Sequence, residues 1–402
     1  MKILILSLTL PPENSATANL IGKLAGALRE QGHTVDGLTL RQKNAQVAAP
    51  ELLQTVYCAE NAVPGPKGIR KRIGDLYLRV LRRLPCWWRK GAYHEEEVRP
   101  LVRAMDKYAL EDYDVILGVC AYYSAIEAAI RYKKKSGIPS KIALLQVDPL
   151  TDNEAYPKGQ YKKRKRYEKR LYEVCDHVFT TPILYQKCEG NGFSVERTTA
   201  AEFPLVCEPR ITSGIEVAAK QPSEIRCVFA GFLYPNIRDA RYTLELFSAF
   251  TDPNIRLYVL GTGQEALLDE YASGALAGRL VRLGAVSSAE SAAWMDSADV
   301  LVNIGNSVTN QVPSKIFDYI SRGKCILNTC KSEACPTLAY MNRYALAVNV
   351  IERLPLASEI AERVQENLTE KSGLTVPFSE IEQVFEACTP PYVAEQITTA
   401  LS

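Results

Sequence analysis

The chain is poor in histidine, with three in 402 residues, and none of its eleven cysteines forms a C-x-x-C pair. So few imidazoles leave little material for histidine acid–base work. Cys325, Cys330 and Cys335 fall five apart, which suits no usual zinc site, so reduced thiols are expected. Charge of one sign is missing too. Lys and Arg number 48 against 46 Asp and Glu, a formal net of +2, which gives no bulk attraction to nucleic acid. No apolar run approaches the roughly 20 residues of a membrane span. The N-terminal I-L-I-L-S-L-T-L stops at Pro11 and Pro12, and no signal-peptide cleavage pattern follows it. A cytoplasmic protein is the expectation.

What the chain has in quantity is alternation. Lys2–Leu8, Thr34–Leu40, Asp114–Val119, Lys141–Val147 and His177–Thr180 read as strands, with helices over Ala16–Gln31, Tyr122–Ser136 and Tyr161–Cys175. The second half repeats the grammar, with short strands at Arg226–Ala230, Arg256–Leu260, Val281–Leu283, Val300–Asn303 and Cys325–Asn328. Helices centred near Leu246, Leu268, Met295 and Phe317 separate them. This predicts an α/β protein with two doubly wound, Rossmann-like domains facing a central cleft, over 1–206 and 225–390. A polar linker spans 207–224, and a last helix at 391–402 is free to return to the first domain. Ligand sites belong beyond the carboxyl ends of the strands.

The most informative segment is V-P-S-K-I-F-D-Y-I-S-R-G-K-C, Val312–Cys325. Pro313 suits a helix start and Gly323 a left-handed end, which places Ser314, Lys315 and Asp318 on the first turns. Amides and the positive dipole end seat an anion, and Lys315 adds a full charge. Asp318, three residues on, faces the same side and can accept from sugar hydroxyls. A phosphate end beside a hydroxyl end fits a nucleotide sugar.

Other residues read two ways. Asn14 and Ser15 follow the first strand, and either cap a helix or face phosphate or acceptor. Gly261 and Gly263 in L-G-T-G either allow close approach to a nucleotide or simply turn the chain. Asp148 stands at the carboxyl end of a strand, where an acceptor-orienting group would sit. Asp112-Tyr113-Asp114 matches a manganese-binding D-x-D string but precedes a buried strand, so a solvated turn is expected. His94 lies in an apparently irregular acidic stretch near Glu95–Glu97.

Taken together, several motifs resemble the GT-B-fold retaining glycosyltransferases of the large family 4 group. They are the opening I-L-I-L-S-L-T-L-P-P-E-N-S-A-T-A-N with E-Q-G-H-T-V, then Q-V-D-P-L-T-D-N, F-A-G-F-L-Y-P-N-I-R-D-A, L-G-T-G-Q-E, S-A-D-V-L-V-N and the Val312 segment. The resemblance implies that Asp318 holds the nucleotide ribose, with Asn310 where the family has a second acidic residue. It implies that Arg238 and Lys315 share the donor diphosphate, since Phe232 and Ile237 occupy the positions of the usual Arg and Lys. Base selection falls near Leu283. Implied partners are a nucleotide-sugar donor and a glycan or lipid-linked acceptor of surface-polysaccharide assembly, with no nucleic acid, cofactor or metal. The competing readings are a non-catalytic nucleotide-sugar-binding or scaffold protein, favoured by Asn310 and Phe232, and a GT-B-fold epimerase.

Two basic stretches lie in the first half. Lys67–Lys90 carries nine Lys or Arg residues, among them Arg79, Arg82 and Arg83, on a helical pattern followed by Trp87 and Trp88. Lys158–Arg170 adds eight more with Tyr161 and Tyr167. Such a surface either lies on the inner face of an anionic membrane or is a solvated face over a packed stripe.

Overall fold

The structure, a computed structural model, describes residues 1–13, 15–40, 52–59, 93–120, 123–153, 158–209 and 215–402. Asn14 and the basic stretch with Arg79, Arg82, Arg83, Trp87 and Trp88 lie outside the described residues. The chain divides into two compact units, Met1–Pro204 with Pro390–Ser402, and Leu205–Thr389.

The first unit is built on a parallel sheet of seven described strands: β1 (Lys2–Leu6), β2 (Thr34–Leu40), β3 (Val56–Ala59), β4 (Val115–Cys120), β5 (Lys141–Gln146), β6 (His177–Thr180) and β7 (Thr198–Ala200), in the order β3-β2-β1-β4-β5-β6-β7. The β1 run K-I-L-I-L is apolar without alternation because helices cover both faces of such a sheet. Helix Ala16–Glu30 buries Leu20, Ile21, Leu24 and Leu28 at helical spacing. The acidic stretch after His94 is regular, contrary to expectation. It forms the first turn of helix Glu95–Lys107, where three carboxylates favour the positive helix end. Asp112-Tyr113-Asp114 is structural. The Tyr113 hydroxyl donates to Asp36 and Asp114 accepts from the Lys2 amide, at the amino ends of the strands.

The last helix begins at Pro390, one residue before the expected 391, since prolines are tolerated in a first helical turn. It belongs to the first unit. Pro391 carbonyl accepts from Gln31 at 2.9 Å, and Lys141 Nζ donates to the Leu401 carbonyl at 2.6 Å.

The second unit has a parallel sheet of β8 (Ile225–Ala230), β9 (Ile255–Leu260), β10 (Leu280–Gly284), β11 (Val300–Ile304), β12 (Cys325–Cys330) and β13 (Ala347–Ile351), in the order β10-β9-β8-β11-β12-β13. Three in-register asparagines pin one side. Asn303 donates to Asn328 at 2.7 Å, and Asn328 to Asn349 at 2.8 Å, so buried amides satisfy one another across β11, β12 and β13. The chain leaves β8 toward β9 and β10, then returns to β11 on the other side. That reversal opens a crevice between the loops after β8 and β11, the usual place for a ligand in such a sheet.

Candidate functional site

The loop after β8, residues 231–239, lies against the loop after β9. Gly231 N donates to the Leu260 carbonyl and Leu233 N to the Thr262 carbonyl, each at 2.9 Å. Gly261 (φ +123°) and Gly263 (φ +103°) are glycine for this reason. A β-carbon on either would come within 1.9 Å of the Gly231 carbonyl oxygen or 2.1 Å of the Leu233 carbonyl oxygen. The two glycines thus serve contact between two protein loops, and nothing in their backbone needs a nucleotide.

Locked in this way, the β8 loop turns back so that Arg238 N donates to the Tyr234 carbonyl. The Arg238 guanidinium then enters the crevice. Its Nε and Nη2 donate to Asn306 Oδ1 at 3.2 and 3.0 Å, and Nη1 lies 3.5 Å from the Phe232 carbonyl. All these acceptors are neutral. The adjacent carboxylate, Asp239, accepts instead from Gln264 Nε2 and the Arg241 amide. Burial lowers the Arg238 pKa, and no carboxylate opposes that effect. A half-buried cation without a counter-ion is partly desolvated, and an arriving phosphate would supply the missing charge.

Asn306 is the residue that sequence reasoning passed over. It follows Gly305 at the end of β11 and looks like an ordinary turn residue. In the fold it is 8% exposed, and the neighbouring Ser307 closes the two loops together, its N donating to Ile237 and its Oγ to Asn236.

Lys315 and Asp318 lie on helix Lys315–Ser321, seven residues long and shorter than the expected span to Gly323. Its first bonds are tight, from Ile316 N to Pro313 and from Phe317 N to Ser314, so Ser314 is the cap residue and its side chain makes no cap bond. Such a short helix has a weak dipole, and the seat's charge rests on side chains more than on amides. Tyr319 fixes the helix to β8: its hydroxyl accepts from Ala230 N at 2.9 Å and donates to the Ala230 carbonyl, and burial raises its pKa to about 12. Lys315 Nζ stands 3.2 Å from Asp318 Oδ2, the side chains being 34% and 23% exposed. Ammonium and carboxylate are therefore adjacent on one partly exposed face. Asn310 is buried at 6%. Leu283 is half-buried on β10, the edge strand of the sheet.

In the first unit, Ser15 caps helix Ala16–Glu30, accepting from Ala18 N at 3.1 Å, and donates to Thr9. Asp148 lies just past β5. The turn it occupies is held by buried groups: Tyr123 OH donates to the Asp148 carbonyl, Arg164 to the Leu150 carbonyl, and Glu168 accepts from Leu150 N, Thr151 N and Gln146. The Asp148 carboxyl itself is half-buried, and burial raises its pKa to about 6. From the Lys158–Arg170 stretch, Arg164 and Arg170 turn inward to Leu150 and Glu127, while Lys162, Lys163, Arg166 and Lys169 are exposed. Among the described residues no helix is long and apolar enough to cross a membrane, and no three His, Cys, Asp or Glu side chains are grouped as metal ligands.

No family model matches the chain, and no curated protein sequence matches it. Solved structures do. HepE of Anabaena, determined with UDP and glucose, is similar over 100% of this chain and 99% of its own, at 14% identity and a TM-score of 0.65. The lipopolysaccharide outer core galactosyltransferase WaaB is similar over the same shares, at 11% identity and 0.62. UDP-GlcNAc 2-epimerase of Neisseria meningitidis, bound to UDP-GlcNAc, is also similar over 100% and 99%, at 10% identity and 0.58. With its two parallel-sheet α/β units, this chain has the GT-B fold.

Proposed function

We propose that the protein is a glycosyltransferase that moves a sugar from a nucleoside-diphosphate donor to a glycan or lipid-linked acceptor in surface-polysaccharide or glycoconjugate assembly. The observation that carries this reading is Arg238, a half-buried guanidinium with only neutral hydrogen-bond acceptors, at the topological reversal of the second sheet, where Tyr319 of the Lys315 helix is bonded to the end of β8. In the reaction the bond between the anomeric carbon and the diphosphate oxygen breaks, and a bond from the acceptor oxygen to that carbon forms. The diphosphate gains negative charge as it leaves. Arg238 and Lys315 stabilise that charge more in the transition state than in the ground state. Asp318 accepts from the ribose hydroxyls. Asp148 orients the acceptor hydroxyl, whose proton passes to a departing phosphate oxygen, an arrangement that fits retention of configuration. With two side-chain cations on the diphosphate, the reading includes no metal. The exposed Lys162, Lys163, Arg166 and Lys169 suit an anionic membrane surface bearing the acceptor.

A second reading, a nucleotide-sugar epimerase, has the similarity to the Neisseria meningitidis epimerase in its favour. Both are tested by screening UDP-, GDP- and other nucleotide sugars for thermal stabilisation, then analysing products of the best. Transfer or slow hydrolysis supports the proposal, an epimeric nucleotide sugar supports the second reading, and no stabilisation by any donor overturns both.

A further inference from the structure

The β8 loop carries two aromatic side chains that the core does not use. Phe232 is 43% exposed and Tyr234 49%, while Leu233 between them is 1% exposed. The alternation follows from the locked backbone: Leu233 N is bonded to Thr262 and its carbonyl is pressed against Gly263, so residues on either side point outward. The rings meet with centroids 4.2 Å apart at 37°. Among the described exposed large hydrophobic residues, they are the only pair in ring contact. Their backbone also holds the anion seat, for the Phe232 carbonyl lies 3.5 Å from Arg238 Nη1 and the Tyr234 carbonyl accepts from Arg238 N.

We propose that Phe232 and Tyr234 form a platform that stacks on the donor's sugar ring and sets sugar affinity. The inference rests on the donor reading of Arg238. A phosphate on Arg238 would carry its sugar one ester bond away, beside the residues whose carbonyls hold the guanidinium. A pyranose has a face of C–H bonds that suits an aromatic surface and a rim of hydroxyls that suits water or amides. Phe232, which stands where the family resemblance implies a cation, acquires a role of its own.

The experiment measures binding of UDP against UDP-glucose, and of GDP against GDP-mannose, to wild type, to F232A/Y234A and to F232L/Y234L. Both side chains are half exposed, so the variants should keep the wild-type melting temperature. The leucine pair retains apolar bulk without a flat face. For whichever pair of probes binds wild type, alanine substitution should leave the nucleoside diphosphate within about twofold, and weaken the nucleotide sugar by about tenfold. F232W/Y234W, which keeps two flat rings, should hold the wild-type sugar affinity, and the leucine pair should not. Equal loss for both probes, no loss for either, or a rise confined to the acceptor KM would overturn the platform while leaving the donor reading intact. Wild-type protein that binds neither probe pair would overturn the donor reading and this inference with it.

Discussion

Replacing Arg238 by methionine should separate binding from folding. In the folded protein the guanidinium donates to Asn306 at 3.2 and 3.0 Å and reaches Phe232 only at 3.5 Å. Hydrogen bonds to a charged group contribute roughly 1.5–3 kcal/mol each, but here two share one oxygen and the third is long. Against them stands a desolvation penalty of a few kcal/mol, the buried-ion cost being discounted because the guanidinium is only half-buried. The terms nearly cancel, so R238M should melt within about 4 °C of wild type, or above it. Methionine keeps the unbranched apolar stem, which limits lost packing. Binding should behave quite differently. Truncating one partner of a desolvated charge pair costs about 2–5 kcal/mol, so nucleoside-diphosphate affinity should fall at least about thirtyfold. Calorimetric titration with differential scanning calorimetry on the same samples reads both quantities. A large drop in melting temperature with unchanged nucleotide affinity would refute the reasoning, because Arg238 would then be a structural residue.

Three further outcomes follow from the same geometry. Lys315 and Asp318 are a partly exposed i, i+3 pair whose mutual attraction contributes only about 0.3–0.5 kcal/mol, so K315A and D318A should leave stability nearly unchanged. K315A should weaken inorganic pyrophosphate and nucleoside diphosphate together, whereas D318A should weaken only the nucleoside diphosphate; competition titrations distinguish them. G261A places a β-carbon against the Gly231 carbonyl at a positive φ and should destabilise the second unit by about 2 kcal/mol or more, measured by denaturant unfolding. The Asp148 carboxyl, raised from 3.8 to about 6, binds its proton more tightly folded than unfolded. Its favourable contribution is therefore full below about pH 4 and lost as pH rises through about 6. D148N lacks that loss, so from pH 4 to 7 its stability should gain on wild type by roughly 2 kcal/mol, the full shift being discounted for partial exposure.

The sheet was largely legible because a strand covered on both faces must be apolar throughout, and runs such as Lys2–Leu6 and Val300–Ile304 advertise themselves. Edge strands gave less. β3, β7 and β13 are short or half-buried and carry no continuous run, and the sequence reading missed them. Helix Glu95–Lys107 was hidden because its charged first turn resembles a loop until the dipole is considered. In the second unit, Lys315 and Asp318 were nominated from one chain segment and Arg238 from another, and Tyr319 ties the helix that carries the first two to the end of β8, just before the loop that carries Arg238. Asn306 could not be nominated, because its importance depends on a guanidinium 68 residues away. Gly261 and Gly263 were singled out, but the physical reason for them was not legible, because it is set by carbonyls of another loop.

The central claim is that Arg238 waits for a donor diphosphate. The direct measurement is a crystal structure of the protein with a nucleoside diphosphate soaked or co-crystallised. The diphosphate should lie within hydrogen-bonding distance of the Arg238 guanidinium and Lys315 Nζ, with the ribose at Asp318. A nucleotide bound elsewhere, with Arg238 still held only by Asn306 and Phe232, would contradict it.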